Sequence, residues 1–549
     1  MTDDRVLVIG LDGFELTYAQ QLIDEGRLPV IAGRLRAGAN VRLEHGPATR
    51  TGLAWEHFWS GASPEAARRA AAVELDGARY AAWAEGARFP PFFEGLAMSP
   101  LVFDTPYADL SLTPSTRGVV AWGCHDPGLT GAASNPPELV EALDARIGPY
   151  PAPEWMYRSP WPSGDATHAM ADALVAGIEA RGRATAWLFA EHVTDWDFGI
   201  VVSSELHSAA EGFWHGVDPT HPLHDHPAAG AASDALRDVY DAIDRFVGVV
   251  TDAVEADVVV LVSMNGMGAN HSDVPTMALL PELVFRWATG RRLLEPPEAW
   301  RARPTAVPPA RGDLGGFDRA WYPSLGPTHA PSRTQPLRRV AQLLPAPIHR
   351  AVSARRSGRR ELGRAPGHQS IEWQPAAWYQ PSWKDMRAFA LPSFYDGRIR
   401  VNVRGREANG LVEPADYVAV CDELEALVRR CVNPRTGASV VASVERPGGD
   451  DPRSVVSSGA DLVVVWEPGV FAFDHPQLGL IGPLPYRRTG GHTGRHGFAS
   501  VAAPGVAPGD HGIAASFDVA PTLLDLAGHE PRTPSGVSVL DRLRSVPAP

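Results

Sequence analysis

Short runs rich in Val, Ile and Leu recur along the chain, and stretches with helical patterning separate them. The runs at residues 5–9, 198–203 and 258–263 are each the length of one strand and show no alternation of polar and apolar side chains. Strands that are buried on both faces are typical of a parallel sheet covered by helices. The alternation of strands and helices therefore predicts an α/β fold with a mainly parallel central sheet flanked by helices.

The size and composition are those of a water-soluble globular protein. The chain has 549 residues, 44% hydrophobic and 21% charged, and no apolar run approaches the ~18 residues of a membrane span. The N-terminus lacks an apolar leader, and the three cysteines, Cys124, Cys421 and Cys431, have no metal-binding spacing. We therefore expect a cytoplasmic protein without a membrane partner.

The charge balance speaks against one class of partner. The net charge is −14, so the chain would gain little from displacing counterions on a polyanion. We expect no nucleic acid polymer as partner.

The sequence pattern divides the chain into three parts. Residues 1–286 and 375–549 show regular patterning, and we predict that they form the two parts of one core. Residues 287–374 are rich in Pro and Arg and show little periodicity, which is typical of a surface insertion or lid. A cationic lid that holds an anionic substrate is the alternative.

Three positions carry candidate chemistry, each with a plainer alternative. His207 and Glu211 lie four residues apart, which puts them on one helix face, where they could hold a metal ion or only face solvent. Asp12 follows the first strand, at the edge where α/β sheets bind ligands, so it could contact a ligand. Alternatively, it only forms an Asp-Gly turn. Thr51 stands near the start of a predicted helix at 53–59. Its hydroxyl could contact a bound anion there, or it could only cap the helix.

Several short segments occur along the chain in the same order as the motifs of one known family. They are Gly10-Leu-Asp-Gly13, Leu28-Pro29, Thr51 ten residues before Gly61, Gly405-Arg-Glu407, Arg488-Thr-Gly-Gly-His492 and Asp518-Val-Ala-Pro-Thr522. In this combination the chain resembles the alkaline phosphatase superfamily, and within it the type I phosphodiesterase and nucleotide pyrophosphatase branch. The resemblance implies an alkaline phosphatase-like core and a pair of zinc-type ions about 4 Å apart, with a Thr nucleophile.

The departures from that branch concern the metal ligands. Met264 and Asn265 stand where the resemblance implies an Asp-His pair, so that metal position keeps only Asp12 and Thr51, with Asn265 as a weak third ligand. We expect this residual second site to be empty or very weak, unless His271 or Asp273 compensates.

At the other metal position, the resemblance implies an Asp, a His four residues later and a late His. His207 and Glu211 reverse the first two residue types, and His492 completes a set of two imidazoles and one carboxylate. We predict one divalent metal ion there, zinc in the first place, with iron or manganese as alternatives.

The expected function is metal-dependent hydrolysis of a phosphate (di)ester, or of a related phosphoryl or sulfuryl ester, with a small anionic substrate. Either Thr51 attacks with Asp12 as base, or water activated by the metal attacks and Thr51 positions the substrate. Arg404, Arg406 and Arg488 are candidates to bind the anion, with structural ion pairing as the alternative. A transferase or biosynthetic enzyme on the same fold and a non-catalytic anion-binding relative remain alternatives.

Overall fold

A nine-stranded sheet forms the centre of the molecule. The computed structural model describes residues 4–124, 132–156, 163–309, 320–325, 368–454 and 456–546. In spatial order the strands are Gly509–Ala515, Ala39–Glu44, Gly497–Ala502, Val258–Ser263, Val6–Leu11, Phe198–Ser203, Pro100–Phe103, Arg117–Val120 and Ala133–Asn135. Pairing is antiparallel on both sides of Gly497–Ala502 and at Ala133–Asn135, and parallel elsewhere. The mainly parallel α/β sheet predicted from the sequence is confirmed.

The strand Val6–Leu11 lies in the middle of this sheet and is buried along its whole length. Val8 lies opposite Ile200 on one side and Val260 on the other, both in parallel register. Parallel register brings the carboxyl ends of these three strands to the same edge, which is where ligands bind in open α/β sheets. Asp12 leaves the sheet at this edge.

Helices cover both faces of the central sheet, because successive side chains of a strand point to opposite faces. Leu7 and Ile9 pack in one apolar cluster with helices 16–24, 164–186 and 229–253. Val6 and Val8 pack in a second cluster with helices 54–60 and 519–526. The remaining helices of this part are Pro29–Ala37, Pro64–Ala67, Glu138–Ile147, Glu205–Phe213 and Leu540–Arg544.

A second, antiparallel sheet has its own apolar core. Its strands, in spatial order, are Ala388–Leu391, Gly397–Val401, Leu462–Trp466 and Val441–Glu445. Helices Leu280–Thr289 and Tyr417–Arg429 pack on it. The other described α-helix is Glu298–Arg301. Three small sheets are formed by Gly266–Ala269 with Gly490–Gly494, by Val73–Asp76, Ala81–Glu85 and His368–Gln369, and by Phe473–His475 with Gly479–Ile481.

The predicted division at residues 287 and 375 stays a prediction. Most of the predicted insertion, residues 310–319 and 326–367, lies outside the described residues, and so does the Arg-rich segment 355–360. Within the predicted second core part, residues 388–466 build the antiparallel sheet, while strands 497–502 and 509–515 return to the central one. Among the described helices, none combines the length and apolar character needed to cross a bilayer.

Candidate functional site

The candidate site lies at the carboxyl edge of the three central strands. The backbone N–H of Asp12 donates to the carbonyl of Ser203, 2.9 Å away, which holds Asp12 beside the start of helix Glu205–Phe213. Gly13 has φ +79°, and a Cβ there would lie 2.4 Å from the Cα of His207. The Asp-Gly turn therefore lets the first strand approach the helix closely enough for Asp12 and His207 to meet.

His207 lies between two carboxylates. Its Nδ1 is 2.8 Å from Oδ2 of Asp12, and its Nε2 is 3.0 Å from Oε1 of Glu211. The second contact runs between side chains four residues apart on one helix, as the spacing predicted. All three side chains are buried, so the contacts form in a region of low dielectric.

His492 completes a group of three side chains. Its ring centroid lies 4.4 Å from that of His207, and Asp12, His207 and His492 each offer one ligand atom within 4.8 Å of the others. The Nδ1 atom of His492 is buried and has no hydrogen-bond partner among the residues that the structure describes. One carboxylate oxygen and two imidazole nitrogens are a donor set that suits zinc and similar divalent ions.

The protonation states fit this donor set. Burial raises the pKa of Asp12, but the charge and hydrogen bond of His207 outweigh it, and the pKa lies below its ordinary value. Burial, together with nearby His207, lowers the pKa of His492 to about 3. An ionised carboxylate and a neutral imidazole are the forms that bind a metal ion.

Glu211 is held by a chain of ion pairs behind His207. Its Oε1 contacts both the imidazole of His207 and the guanidinium of Arg488. Asp273 accepts two hydrogen bonds from Arg488, at 2.7 and 3.0 Å. The other oxygen of Glu211, Oε2, is buried and meets no hydrogen-bond partner in the described part of the chain. Glu211 therefore orients His207, and its predicted role as a direct ligand stays a prediction.

Thr51 ends a 3-10 segment, Gly46–Thr51, and its hydroxyl acts locally. It donates to the carbonyl of Ala48 at 2.8 Å and accepts from the backbone N–H of Leu53 at 3.1 Å. The helix Ala54–Ser60 that follows reaches the site through Trp55, whose ring leaves room only for a glycine at position 10. The Thr51 hydroxyl thus holds the turn that precedes the helix, whose N-cap, Leu53, has no side-chain cap bond. The predicted nucleophilic role of Thr51 stays a prediction.

The side chains at the expected second metal position are buried but offer weak ligands. Met264 is 2% exposed, and Oδ1 of Asn265 has no hydrogen-bond partner. Asp273, considered above as a compensating ligand, is paired with Arg487 and Arg488. The residual site of Asp12, Thr51 and Asn265 stays a prediction.

The three arginines predicted to bind substrate all form ion pairs. Arg488 pairs with Glu211 and Asp273 inside the site. Arg406 is buried and pairs with Asp461 and Glu407, whereas Arg404 is 62% exposed and pairs with Glu413. The structure therefore shows each of the three arginines in an ion pair with a carboxylate, which was the alternative to substrate binding.

Three further residues lie close to the site that the sequence did not predict there. His45 and His57 are buried, with Nε2 of the first 2.9 Å from Nδ1 of the second, and they lie six residues before and after Thr51. Tyr395 has its ring centroid 6.2 Å from that of His492. The equal spacing of the two histidines from Thr51 could have predicted that they lie near it. Nothing in the sequence could have predicted the position of Tyr395, because this residue comes from the second sheet.

The chain matches no known family model and no curated protein sequence. Among solved structures it is similar to phosphonoacetate hydrolase from Sinorhizobium meliloti 1021 in complex with phosphonoformate, at 13% identity and a TM-score of 0.44 over 96% of both chains. The same enzyme in complex with phosphonoacetate gives 12% identity and a TM-score of 0.47, again over 96% of both chains. Human ectonucleotide pyrophosphatase/phosphodiesterase 5 gives 10% identity and a TM-score of 0.45 over 98% of this chain and 100% of that chain. At these identities and scores the likeness does not carry an activity to this chain.

Proposed function

We propose that the chain is a hydrolase of phosphate esters, diesters in the first place, that works with one divalent metal ion held by Asp12, His207 and His492. The observation that carries the proposal is the meeting of one carboxylate and two imidazoles within 4.8 Å of one another. The buried, unpartnered Nδ1 of His492 supports it, because leaving a buried polar atom unpaired costs roughly 1–3 kcal/mol. The motif resemblance supports the choice of ester chemistry.

Charge at the site also favours a metal ion. Three carboxylates, Asp12, Glu211 and Asp273, face two guanidinium groups, Arg487 and Arg488. Counting His207 as an imidazolium brings the sum only to zero. An anionic ester would therefore find no excess positive charge from these side chains, and a bound divalent ion supplies that charge and activates water for attack.

The chain's own residues then have separate tasks. Asp12 lies beside Nδ1 of His207 and Glu211 beside Nε2. With a metal ion held at Nδ1, the Nε2–H would donate to Glu211, which would orient the ring. Arg488 and Asp273 hold Glu211 in place. Thr51 can act as nucleophile only if its hydroxyl gives up its hydrogen bond to Ala48. Attack by water with Thr51 in a positioning role needs no such change.

Metal content tests the site directly. We expect about one equivalent of zinc per chain by elemental analysis, lost in His492→Ala and Asp12→Ala. His475→Gln, which changes a buried histidine of the Phe473–His475 strand, is the matched control and should keep the ion. Two equivalents in the wild type, or none, would contradict the single-ion proposal.

Turnover tests the reaction class. Nitrophenyl phosphodiesters, phosphomonoesters and sulfate esters should be compared as substrates of the metal-loaded protein, with the diester expected to react fastest. Thr51→Ala separates the two routes, since unchanged turnover would exclude attack by the Thr51 hydroxyl. Metal binding without turnover of any of these esters would contradict the hydrolase proposal.

A further inference from the structure

A hairpin of the second sheet reaches the site at the edge of the central sheet. Residues 392–396 connect the antiparallel strands Ala388–Leu391 and Gly397–Val401. At the tip of this connection Tyr395 packs its ring near His492 and against the backbone of Gly52. The hairpin therefore places a phenol beside both the metal-ligand group and Thr51.

Hydrogen bonds on both sides of Tyr395 fix the hairpin. The hydroxyl of Ser272 donates to the carbonyl of Phe394 at 3.1 Å, and the side-chain amide of Gln374 donates to the carbonyl of Ser393 at 2.8 Å. Asp396 accepts from the hydroxyl of Ser393 at 3.0 Å and from Nε of Arg398 at 2.7 Å. A tip held at this many points is preorganised, which is what a residue that contacts substrate requires.

Gly52 is shaped for this contact. Its φ is +73°, and a Cβ there would lie 3.1 Å from Cε2 of Tyr395. A side chain at position 52 would thus meet the tyrosine ring in a backbone conformation that other residues rarely adopt. The residue next to Thr51 therefore leaves room for the ring.

The hydroxyl of Tyr395 makes no hydrogen bond with any residue that the structure describes. The side chain is partly exposed. A phenol is neutral at physiological pH, so its hydroxyl keeps a proton that it can donate to a ligand.

We infer that Tyr395 is a substrate-contacting residue whose hydroxyl donates a hydrogen bond to an anionic oxygen of the bound phosphoryl group. The inference rests on the proposed function. It assigns a donor to a site whose guanidinium groups are already taken up by carboxylates, and it makes the second sheet part of substrate binding. Hydrogen bonds to charged groups are stronger than those between neutral groups, so loss of the contact is large enough to measure.

Binding of inorganic phosphate to the metal-loaded protein, measured by isothermal titration calorimetry, tests the contact. We expect Tyr395→Phe to weaken phosphate binding about 10-fold or more while metal content stays at the wild-type value. Tyr417→Phe is the matched control, because its hydroxyl bonds Asp461 within the second sheet, and it should bind phosphate like the wild type. Gly52→Ala, which displaces the ring, should reproduce the loss.

The outcomes separate this inference from the proposed function. Equal phosphate affinity in Tyr395→Phe and wild type, or no phosphate binding by the metal-loaded wild type, would overturn the role of Tyr395. Loss of affinity in Tyr395→Phe without ester turnover by the wild type would support the contact and contradict the hydrolase. Thermal melting of each variant shows whether a loss comes from unfolding instead, and a folded Tyr395→Phe protein with reduced affinity is the supporting result.

Discussion

His207 shows how much one side chain can depend on its neighbours. Asp12 and Glu211 occupy its two ring nitrogens, and Arg488 and Asp273 extend the contact behind Glu211. In metal sites, such outer partners set the orientation of a ligating histidine and contribute to metal affinity. The chemistry at His207 is therefore a property of the whole chain of contacts from Asp12 to Asp273.

Glu211→Gln is expected to weaken zinc binding by about 10–100-fold without abolishing it, because an outer partner orients a ligand and does not coordinate the ion. Competition with a chelator of known affinity measures this change. Asp12→Asn, at a ligand position, should have the larger effect. If Glu211→Gln loses the ion as completely as His492→Ala, then Glu211 coordinates the metal through Oε2.

Thr51→Ala should lower the free energy of unfolding by about 1 kcal/mol, the usual net contribution of a hydrogen bond, because it removes the hydroxyl that bonds Ala48 and Leu53. Thr51→Ser keeps the hydroxyl that accepts from Leu53 and should stay close to wild type. Urea unfolding followed by circular dichroism measures both. Equal stability of the alanine variant and the wild type would show that these hydrogen bonds contribute nothing measurable.

The residues of the site differ in how far the sequence could place them. Asp12 and His207 follow buried strands, so parallel register alone brings them to one edge. Arg406 could not be placed, because its partner Asp461 lies 55 residues away along the chain. Tyr395 could not be placed either, since the position of its hairpin depends on how two separate sheets pack.

At the scale of single elements, the helix Gly164–Ala186 carries a buried charge. Arg181 is fully buried and bonds the carboxylates of Asp104 and Glu205 and the carbonyl of Gly123. These partners follow the carboxyl ends of three strands of the central sheet. One guanidinium thus ties the helix to the same sheet edge that carries the site.

Arg181→Met should destabilise the protein by about 3–5 kcal/mol, because it leaves two buried carboxylates without their cation. Chemical denaturation of the purified variant measures the loss. Arg183→Met, two residues along on the exposed side of the same helix, is the control and should change little. A small loss of unfolding free energy in Arg181→Met would mean that the two carboxylates become protonated or hydrated when the guanidinium is removed.

The turn and loop after helix Glu205–Phe213 should make stability depend on pH. Burial lowers the pKa of His215 to about 3 and that of His221 to about 4, well below the ordinary value of about 6.5. Between pH 6.5 and 4 these histidines become protonated in the unfolded chain but stay neutral in the folded protein, so stability falls as the pH falls. Each histidine can contribute up to about 1.4 kcal/mol per pH unit.

Unfolding free energies measured from pH 7 to pH 4 check this expectation. His221→Gln removes one titrating group and should reduce the slope, whereas the exposed His168→Gln should leave it unchanged. A slope that is the same in wild type and His221→Gln would contradict a neutral, buried His221.

The sequence predicted the elements better than it predicted their ends. Strands 198–203 and 258–263 have the predicted bounds, because each apolar run ends at a serine, Ser203 or Ser263, that is also the last residue of its strand. The helical pattern that precedes residues 198–203 does not show where the helix Gly164–Ala186 begins and ends. Ser163 caps its start, and at its other end the chain continues into a π-helical turn, which no simple period reveals.

Across the whole molecule, the central sheet joins the two ends of the chain. Strand Gly497–Ala502 lies between Val258–Ser263 and Ala39–Glu44, and pairs with both in antiparallel register. The alternation of strands and helices in the first half of the chain predicted a parallel sheet. It could not predict that residues 497–502 pair between two strands of that half, because this pairing joins segments far apart in the sequence. Residues 497–502 therefore connect two parallel groups of strands.

A chain truncated after residue 489 should fail to fold cooperatively, because the sheet would lose the strand that joins its two parts. Size-exclusion chromatography and thermal melting of the truncated protein test this. Restoring residues 490–546 as a separate peptide in trans would be expected to recover a melting transition. A cooperative transition of the truncated chain alone would show that the remaining strands form a stable domain.

The place of strand Gly497–Ala502 also fixes the order in which the proposed metal ligands are synthesised. His492 stands just before this strand, whereas Asp12 and His207 lie in the first half of the chain. A nascent chain that has exposed only Asp12 and His207 would therefore lack one donor of the proposed site.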